Sequence, residues 1–203
     1  LVIKNPAVPR HSKYLQLADS VETDISIFLR LSRRPVIAIT GSKGKSTSVS
    51  ALHQILKATD PQVLLGGNIT VSPLTFLDEC LAAIASPVVL ELSSWQLADI
   101  KPAELLQANI AAVTNIMADH QNSYSSMQEY VDDKARIFTG QTVHDYSICF
   151  YDDQYGHYYA DTTPGRAMYY SASPLPEELG DGAFLQNGRG YLRRDNQLQE
   201  IVP

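Results

Sequence analysis

Between residue 35 and about residue 150, short apolar β-branched runs alternate with segments whose apolar residues recur at helical spacing, the pattern of a parallel α/β sheet. The predicted strands are "PVIAIT" (35–40), "PVVLEL" (87–92), "ANIAAVTNI" (108–116) and "YSICFY" (146–151). The first has no polar alternation, as expected of a strand buried on both faces. Helical spacing runs through Val49, Leu52, Ile55 and Leu56 (46–58), and a second helix is predicted over 72–84, with Ser72 as N-cap and Pro73 at the first helical position. Another sits in "VETDISIFLRLS", within 10–34. A further helix, 126–138, raises a question. Tyr130, Lys134 and Ile137/Phe138 share one stripe, while Asp132, Asp133 and Arg136 are predicted to point away. A lysine on a core-facing stripe is costly unless it is paired or loses its charge.

After residue 150 the pattern changes. "GHYYADTT", "RAMYYSA", "GAFLQNGRGYLRRD" and "NQLQEIV" mix tyrosines, glycines and alternating polarity, which predicts short antiparallel strands with a hairpin turn at "NGRG" (187–190). The expected fold class is therefore α/β: a P-loop-type, mostly parallel sheet flanked by helices, with a smaller antiparallel β portion after residue 150. The run "LVIKNPAVP" begins on a strand-like segment and turns at two prolines.

Composition narrows the classes. An apolar share of 44% and a charged share of 19% fit a globular chain able to bury a core. The net charge of −6, without basic runs, argues against nucleic acid as a partner. Cys80 and Cys149 lack metal spacing and read as buried thiols of a reducing compartment. No apolar run is long enough to span a bilayer, so no membrane insertion and a cytoplasmic location are expected. His11, His53, His144 and His157 are assigned to structure or surface, as are the tyrosines near 146–170.

The strongest local signal is "VIAITGSKGKSTS". A buried strand leads through a glycine-rich turn into a helix N-terminus, where backbone N–H groups and the helix dipole favour an anion. Gly41, Ser42, Lys43, Gly44, Lys45, Ser46 and Thr47 form the candidate ATP-binding loop. Lys45 is placed to reach the β/γ-phosphates, and Ser46 to offer its hydroxyl to Mg²⁺. Against G-x-x-x-x-G-K-[ST] the first glycine would fall at Ile39, so the loop is a shortened variant. Such loops serve switches, motors, kinases and ligases alike, and the loop by itself leaves the reaction open.

Three further segments carry a resemblance. "VLELSSWQL" places Glu91 at a strand's carboxyl end, "GGNIT" sets Asn68 after two glycines, and "TNIMADH" ends a strand with Asp119 and His120. With T-G-S-K-G-K-S-T and D-D-K-A-R-I, in this order across 35–138, the chain resembles the Mur ligases. The residues after Glu91 are most similar to the branch that joins D-glutamate to UDP-N-acetylmuramoyl-L-alanine. Departures are Thr70 for a glycine, Trp95 for a phenylalanine, and Asn122 and Ser123 where relatives often have Asp and Arg.

The resemblance implies an ATP-dependent ligase of peptidoglycan precursor synthesis, working through an acyl phosphate. It implies two Mg²⁺ sites, with Ser46 and Glu91 at one and His120 and Lys134 at the other. Lys134 would carry a CO2-derived carbamate, and Lys45, His120 and Lys134 would be catalytic. Asn68, Ser93 and Gln96 would bind substrate, and Asp119 would support the metal site or the loop. Residues 1–34 would be the end of a preceding UDP-binding domain and its linker. Residues 35–203 would be the central ATP-binding domain, truncated at its C-terminal end and inactive alone. The alternatives are another Mur or folylpolyglutamate-type ligase, or a non-catalytic nucleotide-binding module.

Overall fold

In the computed structural model, which describes residues 1–202 apart from 7, 10, 11, 70, 118–123 and 196, a nine-stranded sheet carries helices on both faces. The expectations for His11, Thr70, Asp119, His120, Asn122 and Ser123 lie outside the described residues. The elements in chain order are β1 (Val2–Ile3), β2 (Val21–Glu22), α1 (Asp24–Leu31), β3 (Val36–Thr40), α2 (Lys45–Lys57), β4 (Leu64–Gly67), α3 (Leu77–Cys80), β5 (Val88–Glu91) and α4 (Ser94–Asp99). They continue with β6 (Ile110–Val113), α5 (Met127–Ala135), β7 (Tyr146–Phe150), α6 (Gln154–Thr162), β8 (Arg166–Ser171), β9 (Gly182–Gln186), β10 (Arg189–Arg194) and β11 (Gln197–Val202). The large sheet runs β11-β10-β9-β8-β7-β6-β3-β5-β4, and β1 pairs with β2 separately.

The expected α/β class holds. β3 is central and buried throughout. Its alternate residues supply the two faces, as a two-residue period requires. Val36 and Ala38 join a core with Phe28, Leu90, Val113, Tyr130 and Tyr159. Ile37 and Ile39 join Val49, Val63 and Val89 beneath α2. Both cysteines are buried, free thiols.

Four expectations are corrected. First, "GHYYADTT" is not a strand but lies in α6. The Asp153 carboxylate accepts the Gly156 N–H at 2.7 Å as an N-cap. Tyr155 and Tyr159 then fall four apart on one packed face, and the Tyr159 hydroxyl donates to the Val131 carbonyl at 3.1 Å. Burial on a helical face overrides the strand preference of aromatic residues. Second, with a helix crossing over, β8 lies parallel to β7, and β9 parallel to β8. Among the described residues, antiparallel pairing is confined to β9 with β10 and β10 with β11, with Asn187 and Gly188 at positive φ in the hairpin turn.

Third, the segment after Ser72 forms a 3-10 turn, Pro73–Phe76, and then only one α-helical turn, ending at Cys80. There the Arg33 N–H donates to the Cys80 carbonyl at 2.8 Å. Fourth, Asp133 and Arg136 do not point outward. Asp133 is buried. The Arg136 guanidinium donates to the Leu97 and Ile100 carbonyls at 3.1 and 3.0 Å, satisfying the C-terminal end of α4.

The thiols give a first testable consequence. Burial pushes the Cys149 thiol up to about 12 and raises Cys80 as well. A thiol-specific reagent at pH 8 is expected to label neither in the folded chain and both in denaturant; rapid native labelling would contradict the packing. The sign of the linkage is definite. A group with a raised folded value contributes stability below its ordinary value, 9.0 for Cys149, and loses it as pH climbs towards about 12. Burial raises Tyr159 and Tyr170 in the same direction. The melting temperature should therefore fall between pH 9 and pH 11 rather than rise.

Candidate nucleotide and metal site

The glycine-rich loop leaves the central strand β3 and turns directly into α2, as the residue pattern predicts. Gly41 has φ +144° and Gly44 has φ +81°, conformations that L side chains rarely adopt. A Cβ on Gly41 would meet the Thr114 Oγ1 at 1.9 Å. Gly41→Ala therefore combines a strained backbone with a clash, and should cost about 3 kcal/mol or more, a fall in melting temperature of about 10 °C. A melt within a degree or two of the unsubstituted protein would show that the loop does not have this shape.

The loop's side chains divide by role. Gly44 is the N-cap of α2, so the N–H groups of the first turn lack intrahelical acceptors. Lys45 curls back, its Nζ donating to the Gly41 carbonyl at 2.9 Å and the Ser42 carbonyl at 3.2 Å. Ser46 and Thr47 are exposed at the mouth. Ser42 is buried instead. Its Oγ accepts the Met117 N–H at 2.9 Å and sits 2.9 Å from the Tyr130 hydroxyl. It anchors the loop to α5 rather than facing outward. Lys43 is exposed, and its N–H donates to the Asn115 Oδ1.

On the neighbouring strand, β5 lies parallel to β3 with Ile39 opposite Glu91. Glu91 therefore ends its strand beside the start of the loop. It is 1% exposed, with one oxygen, Oε1, accepting the Asn68 Nδ2 at 2.9 Å. The other, Oε2, is buried and has no hydrogen-bond partner among the described residues. The approach of Asn68 depends on Gly67, where a Cβ would lie 2.1 Å from the Glu91 carbonyl oxygen. That edge strand, β4, is too short and glycine-rich to be predicted from its residues.

Lys134 is 2% exposed, as its stripe implies. Its Nζ donates to the Gly41 carbonyl at 3.0 Å and to the Thr40 Oγ1 at 3.3 Å, and lies 4.6 Å from the centre of the Tyr130 ring. Two lysines from different helices thus converge on one loop carbonyl. Like charges so close repel.

Ser93 and Gln96 lie just past Glu91 but face each other. The Ser93 Oγ accepts the Gln96 N–H at 3.2 Å, and the Gln96 Oε1 accepts the Ser93 N–H at 3.0 Å, a reciprocal cap on α4. A buried carboxylate oxygen without a partner fits a hard, oxygen-seeking cation such as Mg²⁺, which keeps most of its waters and binds few protein groups. Among the described residues no three or more His, Cys, Asp and Glu gather as a ready metal cluster. Glu91 and the exposed Ser46 hydroxyl are the described candidates for holding such an ion.

An open cleft of about 400 Å³ adjoins the loop, walled by Lys43, Gly44, Ser48, Asn115, Phe150 and Tyr170. The Phe150 and Tyr170 rings stack, centroids 5.0 Å apart. A larger cavity of about 650 Å³ opens at the amino ends of the strands, near Pro35, Asn109 and Asp145, and includes none of the loop residues. Tyr130, Thr40, Thr114 and Asn115 belong to the site but were not singled out by sequence reasoning. Tyr130 shares the stripe of Lys134, which could have found it. Among the described residues no helix is long and apolar enough to cross a membrane.

Comparison with known proteins agrees with this architecture. The chain is 51% identical over 142 residues to the UDP-N-acetylmuramoylalanine–D-glutamate ligase of Borreliella afzelii (strain PKo), covering 70% of this chain and 30% of that protein. It is 47% identical over 175 residues to the ligase of the same name from Treponema pallidum (strain Nichols), covering 79% and 32%. The chain thus spans about a third of the length of these relatives. Among solved structures, MurF ligase from Thermotoga maritima in complex with ADP superposes with a TM-score of 0.61 at 15% identity, over 92% of this chain and 46% of that one. The MPL ligase from Neisseria meningitides gives 0.63 at 14%, over 97% and 65%. Residues 39–177 match the Mur ligase middle domain, and with that match and these relatives the chain belongs to the Mur ligase family.

Proposed function

We propose that this chain is the ATP-binding part of a ligase that joins D-glutamate to UDP-N-acetylmuramoyl-L-alanine in the cytoplasm, with residues 1–34 leading in from a UDP-binding domain and residues 35–203 within the central domain. The observation that carries the reading is the convergence of Lys45 and Lys134 on the Gly41 carbonyl of a loop whose strand lies next to the one that ends at Glu91. The names of the similar ligases support the choice of substrates.

In this reading the α2 N-terminus and Lys45 receive the phosphates of ATP. The acceptor carboxylate attacks the γ-phosphorus, releasing ADP and forming an acyl phosphate. The D-glutamate amine then adds to the acyl carbon, and inorganic phosphate leaves with the former carboxylate oxygen. Phosphoryl transfer asks mainly for positioning and charge neutralisation, and Lys45 supplies both. Ser46 and Glu91 would hold one Mg²⁺, and His120 with modified Lys134 a second, which would supply further neutralisation of the phosphate oxygens. Asn68 orients the Glu91 carboxylate and would touch the muramoyl substrate. Ser93 and Gln96 act on the substrate by fixing the strand–helix junction after Glu91.

Lys134 fits this scheme as a carbamate. Its ammonium loses one proton, and the neutral amine would then add to CO2 and release a second, so a cation that repels Lys45 would become a carboxylate-like anion that attracts it. The loss of like-charge contact is a physical reason for the modification.

The test is phosphate release from ATP by the complete protein, offered different pairs of acid and amine. Strict dependence on UDP-N-acetylmuramoyl-L-alanine plus D-glutamate is expected. Turnover with L-glutamate and a folate, or ATP binding with no acid-dependent turnover at all, would replace this reading with a folate-type ligase or a non-catalytic module.

A further inference from the structure

The phosphate loop is bonded along one side to a single short segment, residues 114–117. The parallel ladder between β3 and β6 formally ends where Thr40 meets Val113. Bonding continues past that point. The Thr114 N–H donates to the Thr40 carbonyl and the Ser42 N–H donates to the Asn115 carbonyl, both at 2.9 Å. Beyond them, the Asn115 side chain takes hold of one residue at both ends. Its Oδ1 accepts the Lys43 N–H at 3.0 Å, and its Nδ2 donates to the Lys43 carbonyl at 3.1 Å. The Thr114 Oγ1 donates to that same carbonyl at 2.6 Å. Tyr170 reaches over from β8 and donates its hydroxyl to the Thr114 carbonyl.

The N–H and carbonyl of Lys43 belong to successive peptide planes, so a side chain that binds both fixes the backbone rotation of Lys43. That rotation sets the direction of the next residue, Gly44, held at φ +81°, and through it the aim of the first N–H groups of α2. The two donors on the Lys43 carbonyl have a second effect. They hold the negative end of that dipole against residues 114–115, where it cannot oppose an incoming phosphate. We infer that Asn115, assisted by Thr114 and braced by Tyr170, is a positioning residue that holds the phosphate loop in its anion-receiving shape before nucleotide arrives. Asn115 acts through Lys43 and Gly44. The inference rests on the nucleotide-binding reading of the loop.

The experiment compares Asn115→Ala, Asn115→Asp and Thr114→Ser in the complete protein. It reads KM for ATP, KM for the acid and amine substrates, ADP binding by calorimetry, and the melting temperature. Asn115→Ala is expected to raise KM for ATP and weaken ADP binding by about 10-fold or more, a change of about 1.4 kcal/mol, with the other two KM values within about 2-fold. Asn115→Asp keeps the size and the acceptor for the Lys43 N–H. It sets a carboxylate against the Lys43 carbonyl and the phosphates, and should bind nucleotide more weakly than the alanine variant. Thr114→Ser retains the hydroxyl that donates to the Lys43 carbonyl and should weaken nucleotide binding less than Asn115→Ala does.

Unchanged nucleotide KM in a folded Asn115→Ala protein would overturn the inference. So would a parallel loss of all three KM values and of melting temperature, the mark of a merely structural residue. If the alanine variant does not fold, Asn115→Ser carries the same comparison with the same expected and contrary results. Failure of the underlying reading looks different, because the unsubstituted protein then binds neither ATP nor ADP.

Discussion

Lys134→Ala in the complete protein is expected to lower turnover by about 100-fold or more while the chain still folds. The side chain contributes to the core through its stem, and its Nζ donates to the Gly41 carbonyl and the Thr40 Oγ1. Removing it leaves a small cavity, costing about 2–3 kcal/mol, and takes away a cation that repels Lys45. A cost of that size leaves the chain folded, while the change removes the group proposed to hold a second metal. Lys134→Arg separates charge from modification. A guanidinium keeps the cation and the reach, but it is not deprotonated in proteins and offers no amine to CO2. It should be as inactive as the alanine variant, and excess bicarbonate should restore neither. Near-normal activity of either variant, with circular dichroism showing a native fold, would remove Lys134 from the chemistry.

Glu91→Gln is expected to have an equally large effect on turnover and an opposite effect on stability. The carboxylate is buried. Only one of its two oxygens has a described hydrogen-bond partner, Asn68, so part of the cost of burying the carboxylate is left uncompensated among the described residues. The amide retains an oxygen for the Asn68 Nδ2 and removes the charge, so the melting temperature should hold or rise slightly. Turnover should fall by about 100-fold or more, with a raised requirement for Mg²⁺, because a neutral oxygen is a poorer ligand for a hard cation. A variant that loses stability and activity together would mean that Glu91 is a structural carboxylate whose partner lies elsewhere.

Much of this site could be read from residue order, and the reasons are specific. The loop was legible because a buried strand, two glycines and a helix start are adjacent in the chain. Lys134 was legible because helical spacing alone puts it on the stripe of Tyr130 and Ile137, and all three are buried. The part that could not be read depends on distance in sequence. Asn115 and Lys43 are 72 positions apart, and nothing in either local pattern says that they bond. Glu91 could be placed at a strand end, but the loss of a partner for one oxygen appears only when β4, β5 and β3 lie side by side. Asp133 and α6 failed for a related cause. A helix packed on two sides buries more than one stripe, and tyrosines that favour strands in isolation accept a helix when Tyr159 is fully buried by it.

The most direct measurement follows an oxygen atom. UDP-N-acetylmuramoyl-L-alanine labelled with ¹⁸O in its terminal carboxylate is incubated with ATP, D-glutamate and the complete protein, and the inorganic phosphate is analysed by mass. If the carboxylate attacks the γ-phosphorus and the amine later expels phosphate, each phosphate released carries one labelled oxygen from the acid. Unlabelled phosphate, or label-independent ATP hydrolysis without D-glutamate, would contradict the ligase account.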